Sequence, residues 1–136
     1  MIKLVTDRKR ILEICEKLRD MKERSITEAS LFRFIHFSPQ NCCYASFEKE
    51  KMTGCTVLYL GRDIKGELAL FVIFQWIDPH YPGLWNEYVK FIDQQAKAET
   101  AKKISFTTSR NEDAVIRKLG QYGYRKTYTI IEKEVI

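Results

Sequence analysis

The sequence predicts an α+β domain, a mainly antiparallel sheet flanked by helices. Three observations carry this. Apolar residues recur at helical spacing near the start and again in the second half of the chain. Three consecutive β-favouring segments in the middle are joined by short charged or glycine-bearing connections that suit hairpins. One of them contains Leu68-Ala69-Leu70-Phe71-Val72-Ile73-Phe74, so apolar throughout that both of its faces need covering. With 136 residues, the chain fits a single domain, residues 1–136, that can bury a core without disulfides or metals.

In order, Ile2 to Val5 reads as a short strand, and Thr6 or Asp7 can cap the helix that follows. From Arg8 to about Lys22 an apolar stripe runs through Ile11, Ile14, Cys15, Leu18 and Met21. Ser25-Ile26-Thr27-Glu28 matches a capping box and opens a second helix through Leu31, Phe34 and Ile35, stopped near Pro39. Strands follow over Cys43–Glu48, Thr53–Leu60 and Leu68–Ile77, the last expected at the sheet centre. Leu84, Tyr88, Phe91 and Ile92 return to helical spacing, and Lys103–Thr108 reads as a strand. Asn111 or Ser109 can cap a helix from Glu112 to about Tyr122, with acidic residues where the helix dipole favours them. Gly123 terminates it and Tyr124–Glu134 forms a final strand. The expected core includes Ile11, Leu18, Phe34, Val57, Phe71, Ile73, Phe91, Ile104, Phe106, Ile116 and Leu119.

Composition narrows the partners. No stretch approaches the ~20 apolar residues of a membrane span. Met1–Asp7 lacks the apolar run of a signal peptide, so a cytoplasmic, membrane-free protein is expected. Cys15, Cys42, Cys43 and Cys55 form no metal-ligand spacing and read as reduced, small hydrophobes, with no metal site expected. The net charge of +5 is concentrated in residues 102–126, where seven Lys and Arg face two acidic residues. A positive field there attracts a polyanion such as cofactor phosphates. The basic residues are not interleaved with exposed aromatics, which argues against nucleic acid.

The segment Ile77-Asp78-Pro79-His80-Tyr81-Pro82-Gly83, with Arg110-Asn111-Glu112-Asp113-Ala114 and Gly123-Tyr124 downstream, resembles the second half of the GNAT superfamily of acetyl-CoA-dependent N-acetyltransferases. There a central strand runs into a V-D-P-x-Y-R-G-x-G-x-G loop that wraps the cofactor pyrophosphate. The order β-α-α-β-β-β-α-β-α-β is also that of the family, which implies a mixed sheet of about six strands with four helices. The loop departs from the pattern. Pro82 stands for the family's Arg or Gln and lacks an N–H, the later glycines are absent, and Leu84-Trp85-Asn86-Glu87-Tyr88 follows at once.

The resemblance implies cofactor contacts from the backbone of Trp76 and Ile77, from Gly83 and Leu84 at the next helix start, and from Arg110 and Asn111. Each has an ordinary alternative: His80–Gly83 as a tight turn, Asn111 as a helix cap. Lys118 stands where many family members carry the tyrosine that protonates the departing thiolate, and Tyr122 one turn on is the fallback acid. Glu67 is the candidate base, with Asp78 and His80 also considered. The implied function is transfer of an acetyl group from acetyl-CoA to an amine, on a small molecule or a protein, by direct attack. The alternative is an inactive GNAT-fold binding module, paired as a homodimer through exposed aromatics. The N-terminal helices, which shape the acceptor side in the family, do not reveal the acceptor.

Overall fold

The structure is a computed structural model that describes residues 1–21, 26–106, 112–127, 133 and 135. Its elements are β1 (Ile2–Leu4), α1 (Arg8–Glu16), a 3-10 turn (Lys17–Asp20), α2 (Glu28–Phe37), β2 (Cys43–Glu48), β3 (Lys51–Arg62), β4 (Leu68–Ile77), α3 (Leu84–Ala98), β5 (Lys103–Phe106) and α4 (Glu112–Gly120). The five described strands form one sheet in the order β1-β2-β3-β4-β5. The first three pairings are antiparallel and β4–β5 is parallel, so the sheet is mixed and mainly antiparallel.

The helix starts follow capping chemistry. Asp7 accepts a hydrogen bond from the Arg10 N–H at 3.1 Å. The helix ends earlier than its apolar stripe, because the chain tightens into the 3-10 turn after Glu16. At α2 the cap is Thr27, not Ser25, which lies outside the described residues. The Thr27 hydroxyl accepts from the Ser30 N–H, and the Ser30 hydroxyl accepts from the Thr27 N–H, both at 3.1 Å. Glu28, the expected partner in that box, instead binds Arg19 at 2.6 Å and ties the 3-10 turn to α2.

The β2–β3 hairpin turns on two residues, Lys49 (φ 48°) and Glu50 (φ 71°), so β3 begins two residues before the expected Thr53. The β3–β4 turn is built around Asp63, whose Oδ1 accepts from the N–H groups of Lys65 and Glu67 at 2.9 Å each. Gly61 and Arg62, expected in that connection, belong to β3.

Two apolar layers cover the sheet. Under α1 and α2 lie Ile14, Cys15, Leu18, Leu31, Ile35, Cys43, Ala45, Cys55, Val57, Phe74 and Trp76. Under α3 lie Leu58, Leu70, Val72, Ile92 and Ala96. Of the expected core, Leu18, Val57 and Leu119 are buried. Ile11, Phe34, Ile73, Phe91, Ile104 and Phe106 pack at the layer edges. Phe71 and Ile116 are half-buried. β4 is an interior strand, but β3 occupies the middle of the described five. Tyr124–Thr127 is not strand, and most of the remaining expected final strand lies outside the described residues.

Candidate functional site

β4 carries an irregularity that aims its second half. Val57 pairs with Phe74 but Leu58 pairs with Val72, so Ile73 is an extra residue, a bulge that bends the strand. Pairing with β5 runs only from Ala69↔Lys103 to Val72↔Phe106. Residues 73–77 have no β5 partner among the described residues. Side chains patch the disturbed ladder on the other edge. Thr56 Oγ1 donates to the Phe74 carbonyl at 3.3 Å, and Gln75 Nε2 donates to the Cys55 carbonyl at 3.1 Å. Gln75 Oε1 is buried with no hydrogen-bond partner among the described residues. Trp76 is buried with the Lys17 ammonium 4.6 Å from its ring centroid, and Ile77 is half-buried.

The strand then turns through Asp78. Its N–H donates to the Thr53 carbonyl, and its Oδ1 accepts from the His80 N–H, each at 2.9 Å, with His80 Nδ1 at 2.8 Å. The His80 backbone N–H, then the His80 ring, hold the Asp78 carboxyl below its ordinary value, and the Lys51 ammonium at 3.5 Å adds to this. An ionised, fully engaged carboxylate is a poor base, so Asp78 shapes the turn. His80 is exposed and committed to Asp78.

α3 begins immediately after. Two of its leading N–H groups are already used, Leu84 donating to the Tyr81 carbonyl at 3.1 Å and Trp85 to that of Pro82 at 3.4 Å. Gly83, the N-cap, has right-handed φ and ψ, and a Cβ there would meet nothing within 4 Å. Local packing therefore does not demand glycine at this position, and the space beside it is open. Tyr88 anchors the helix from below. Its ring is fully buried and its hydroxyl lies 2.9 Å from Ser46 Oγ, which in turn lies 3.0 Å from Thr53 Oγ1. Burial raises this phenol above its ordinary value, so it stays neutral.

α4 brings charge to the α3 start. Lys118 Nζ sits 4.4 Å from the Trp85 ring centroid, in the second position of α3. Tyr122 is half-buried in the turn after α4, its N–H donating to the Leu119 carbonyl at 2.9 Å. Tyr124 packs edge-on against Phe106 at 5.2 Å, and its buried hydroxyl has no partner among the described residues. Burial, with the Asp93 charge adding, pushes that phenol up to about 12.

The structure thus gathers Trp76, Ile77, Gly83 and Leu84 at the end of β4 and the start of α3. It does not bring Glu67 there. Glu67 precedes the first residue of β4, at the opposite end of the strand, where Lys103 bonds it at 3.1 Å and also pairs with Asp63. Those pairs also withdraw Lys103 from the set of cations expected to meet phosphates. Arg110 and Asn111 lie outside the described residues. Sequence reasoning missed the Lys118–Trp85 stack and the orphaned Gln75 oxygen. Gln75, the one polar side chain within an apolar strand, was the available signal for the second.

No protein-family model matches the chain, and no curated protein matches it. Solved structures do. An aminoglycoside 6'-N-acetyltransferase, AAC(6')-IG of Acinetobacter haemolyticus, superposes with a TM-score of 0.74 over 100% of this chain and 98% of its own, at 12% identity. AAC(6')-Iy, solved with a bisubstrate analogue of CoA, gives 0.75 over 100% and 97% at 9% identity. The chain has the GNAT fold. A transcriptional regulator from Bacillus halodurans C-125 gives 0.75 over 99% of each chain at 15% identity, so this GNAT scaffold is shared by proteins of different described roles.

Proposed function

We propose that this GNAT-fold chain is an acyltransferase that takes an acetyl group from acetyl-CoA and passes it to an amine. The observation that carries this reading is the second half of β4. It is bent at Ile73, lacks a described β5 partner from Ile73 to Ile77, and runs through the Asp78 turn into the open N-terminus of α3. Strand backbone with a free edge can bind an extended amide-containing arm, and a helix start beside a lysine can take phosphate. The residues fit such a cofactor in part. The backbone of Trp76 and Ile77 would hold the arm, and the buried Gln75 oxygen, unpartnered among the described residues, marks hydrogen-bonding capacity in the same stretch. Gly83, the remaining N–H groups of the α3 start and Lys118 would hold the phosphates, with Arg110 and Asn111 as further proposed contacts. When bound, acetyl-CoA would supply an activated thioester.

The chain's own part is to orient that group along β4 and to donate hydrogen bonds where negative charge develops on the carbonyl oxygen. Tyr122 is the proposed acid for the leaving sulfur. Glu67, ion-paired at the far end of β4, serves as base only if that pair opens, so water is the simpler acceptor of the amine proton. The acceptor is proposed as a small-molecule or protein amine.

The loop observations favour weak binding, since Pro82 offers no N–H and two leading donors are spent on the turn. Each charge-assisted bond lost is worth about 1.5–3 kcal/mol, roughly tenfold or more in affinity. Titration calorimetry with acetyl-CoA tests the proposal: measurable binding, reduced by Lys118→Ala and by Asn111→Ala, supports it. Absence of heat and of thermal shift at millimolar acetyl-CoA refutes the enzyme and leaves an inactive binding module, two copies pairing being its expected form.

A further inference from the structure

Four cysteines have no part in the proposed reaction, and all are buried free thiols. Two of them adjoin. Cys42 precedes β2 and Cys43 opens it, so the alternation that sends neighbouring strand side chains to opposite faces does not apply across the pair. Their Sγ atoms lie 3.9 Å apart. Cys42 is 4% exposed and Cys43 1%. The hydrogen bond from Cys43, helped by the Ser38 side chain and opposed by burial, brings the Cys42 thiol down to about 7, while that same bond and burial raise Cys43. The shared hydrogen bond thus favours ionisation at Cys42, with Cys43 keeping its proton as the donor.

We propose that Cys42 and Cys43 form a peroxide-responsive dithiol that closes reversibly into a disulfide between adjacent residues. The Cys42 sulfur attacks one oxygen of hydrogen peroxide, the O–O bond breaks, and the other oxygen leaves as water after taking a proton. Cys42 is then a sulfenic acid. The Cys43 sulfur attacks the Cys42 sulfur, the S–O bond breaks, and the hydroxyl leaves as water with the Cys43 proton. Two thiols and one peroxide give one disulfide and two waters, so the sulfurs are oxidised and the peroxide reduced. Hydrogen peroxide is close to water in size, the class of oxidant suited to a sulfur as little exposed as that of Cys42.

Geometry makes this a switch rather than a staple. Consecutive Cα atoms are about 3.8 Å apart, below the usual disulfide range of roughly 4.4–6.8 Å, so the closed ring is strained and easily reduced. The backbone at the two cysteines also holds the sheet together. The Cys42 carbonyl accepts from the Leu58 N–H at 2.8 Å and the Cys43 carbonyl from the Val5 N–H at 2.9 Å. Closing the ring twists both acceptors, so the oxidised protein melts at a lower temperature than the reduced one.

The test treats the folded chain with hydrogen peroxide, alkylates it in denaturant and digests it with trypsin. Cleavage after Arg33 and Lys49 releases Phe34–Lys49, which contains Cys42 and Cys43 and no other cysteine. The expected product is this peptide lighter by two hydrogens and resistant to alkylation, restored by dithiothreitol, with Cys15 and Cys55 alkylated throughout. Cys43→Ser is expected to stop at a sulfenic acid on Cys42, trapped by dimedone. Should that variant not fold, brief dimedone trapping in the unaltered chain gives the order of events: an adduct on Cys42 supports the proposal and one on Cys43 overturns it. Both thiols still alkylated after peroxide, Cys42 driven to the sulfinic acid beside a free Cys43, or a disulfide to a second chain, would each overturn it.

Discussion

Replacing Gly54 by alanine places a methyl carbon 2.8 Å from Tyr88 Cε2, closer than side-chain carbons approach without displacement. The Tyr88 ring cannot retreat cheaply, because it is fully buried between α3 and the sheet and its hydroxyl is bonded to Ser46 at 2.9 Å. Overpacking of this kind costs about 1–3 kcal/mol. Pulling the phenol off Ser46 forfeits about 1 kcal/mol more, giving roughly 2–4 kcal/mol in all. For a chain of 136 residues, each kcal/mol lowers the melting temperature by roughly 3–5 °C, so a fall of about 6–20 °C is expected by calorimetry. The double variant Gly54→Ala/Tyr88→Leu supplies the internal control. With the ring gone the added methyl has room, and the alanine costs less than about 1 kcal/mol in that background. Since Tyr88 seats the helix whose first turn forms the proposed phosphate site, Gly54→Ala also weakens acetyl-CoA binding. A melting temperature within about a degree of the parent, or an equal loss in the Tyr88→Leu background, would refute the reasoning.

Thr100 occupies the left-handed residue (φ 56°) of the α3 C-terminus, where the Ala101 N–H bonds the Ala96 carbonyl and the Thr100 N–H that of Lys97. A β-branched residue is strained there, so Thr100→Gly stabilises by about 1 kcal/mol, read as a raised denaturation midpoint. Lys49→Asn with Glu50→Gly fits the two positive-φ turn positions better and raises stability by about 0.5–2 kcal/mol, despite losing the exposed Arg10–Glu50 pair. Asp78 has a depressed folded value, so its contribution is present above the ordinary aspartate value of about 3.9 and is lost as pH falls through the lower folded one. Melting temperatures scanned into acid therefore fall less steeply for Asp78→Asn than for the parent. Trp76 and Trp85, the chain's two tryptophans, flank the proposed site, so acetyl-CoA changes intrinsic fluorescence and Trp85→Phe removes the larger share. An unchanged spectrum at saturation would count against the site's location.

How much could be read in advance depended on whether the information was local. Strands β2 and β4 were found at their true limits, because alternation, apolar runs and turn residues act over a few positions. Asp7 was among the two caps named, for the same reason. The fold class followed from element order, together with a loop motif that spans only neighbouring residues. Errors fell where the deciding partner is distant. Glu28 left the expected capping box because the helix is capped at Thr27, which makes Ser30 the third residue, and Glu28 pairs instead with Arg19, nine residues earlier. Glu67, a candidate base for its place at the start of β4, pairs with Lys103 at the end of the strand away from Asp78, a partner that no local pattern signals.

By itself, then, the sequence determined the α+β architecture, the element order and the altered loop after Ile77, since each depends on periodicity, turn chemistry or a missing glycine. Tertiary structure alone decided the bulge at Ile73, the seating of Tyr88 under α3, the Lys118–Trp85 stack and the meeting of the Cys42 and Cys43 sulfurs. The physical reason is common to all four. Packing of side chains against particular neighbours, not any local preference of the backbone, selects strand register, ring position and the direction in which a thiol points.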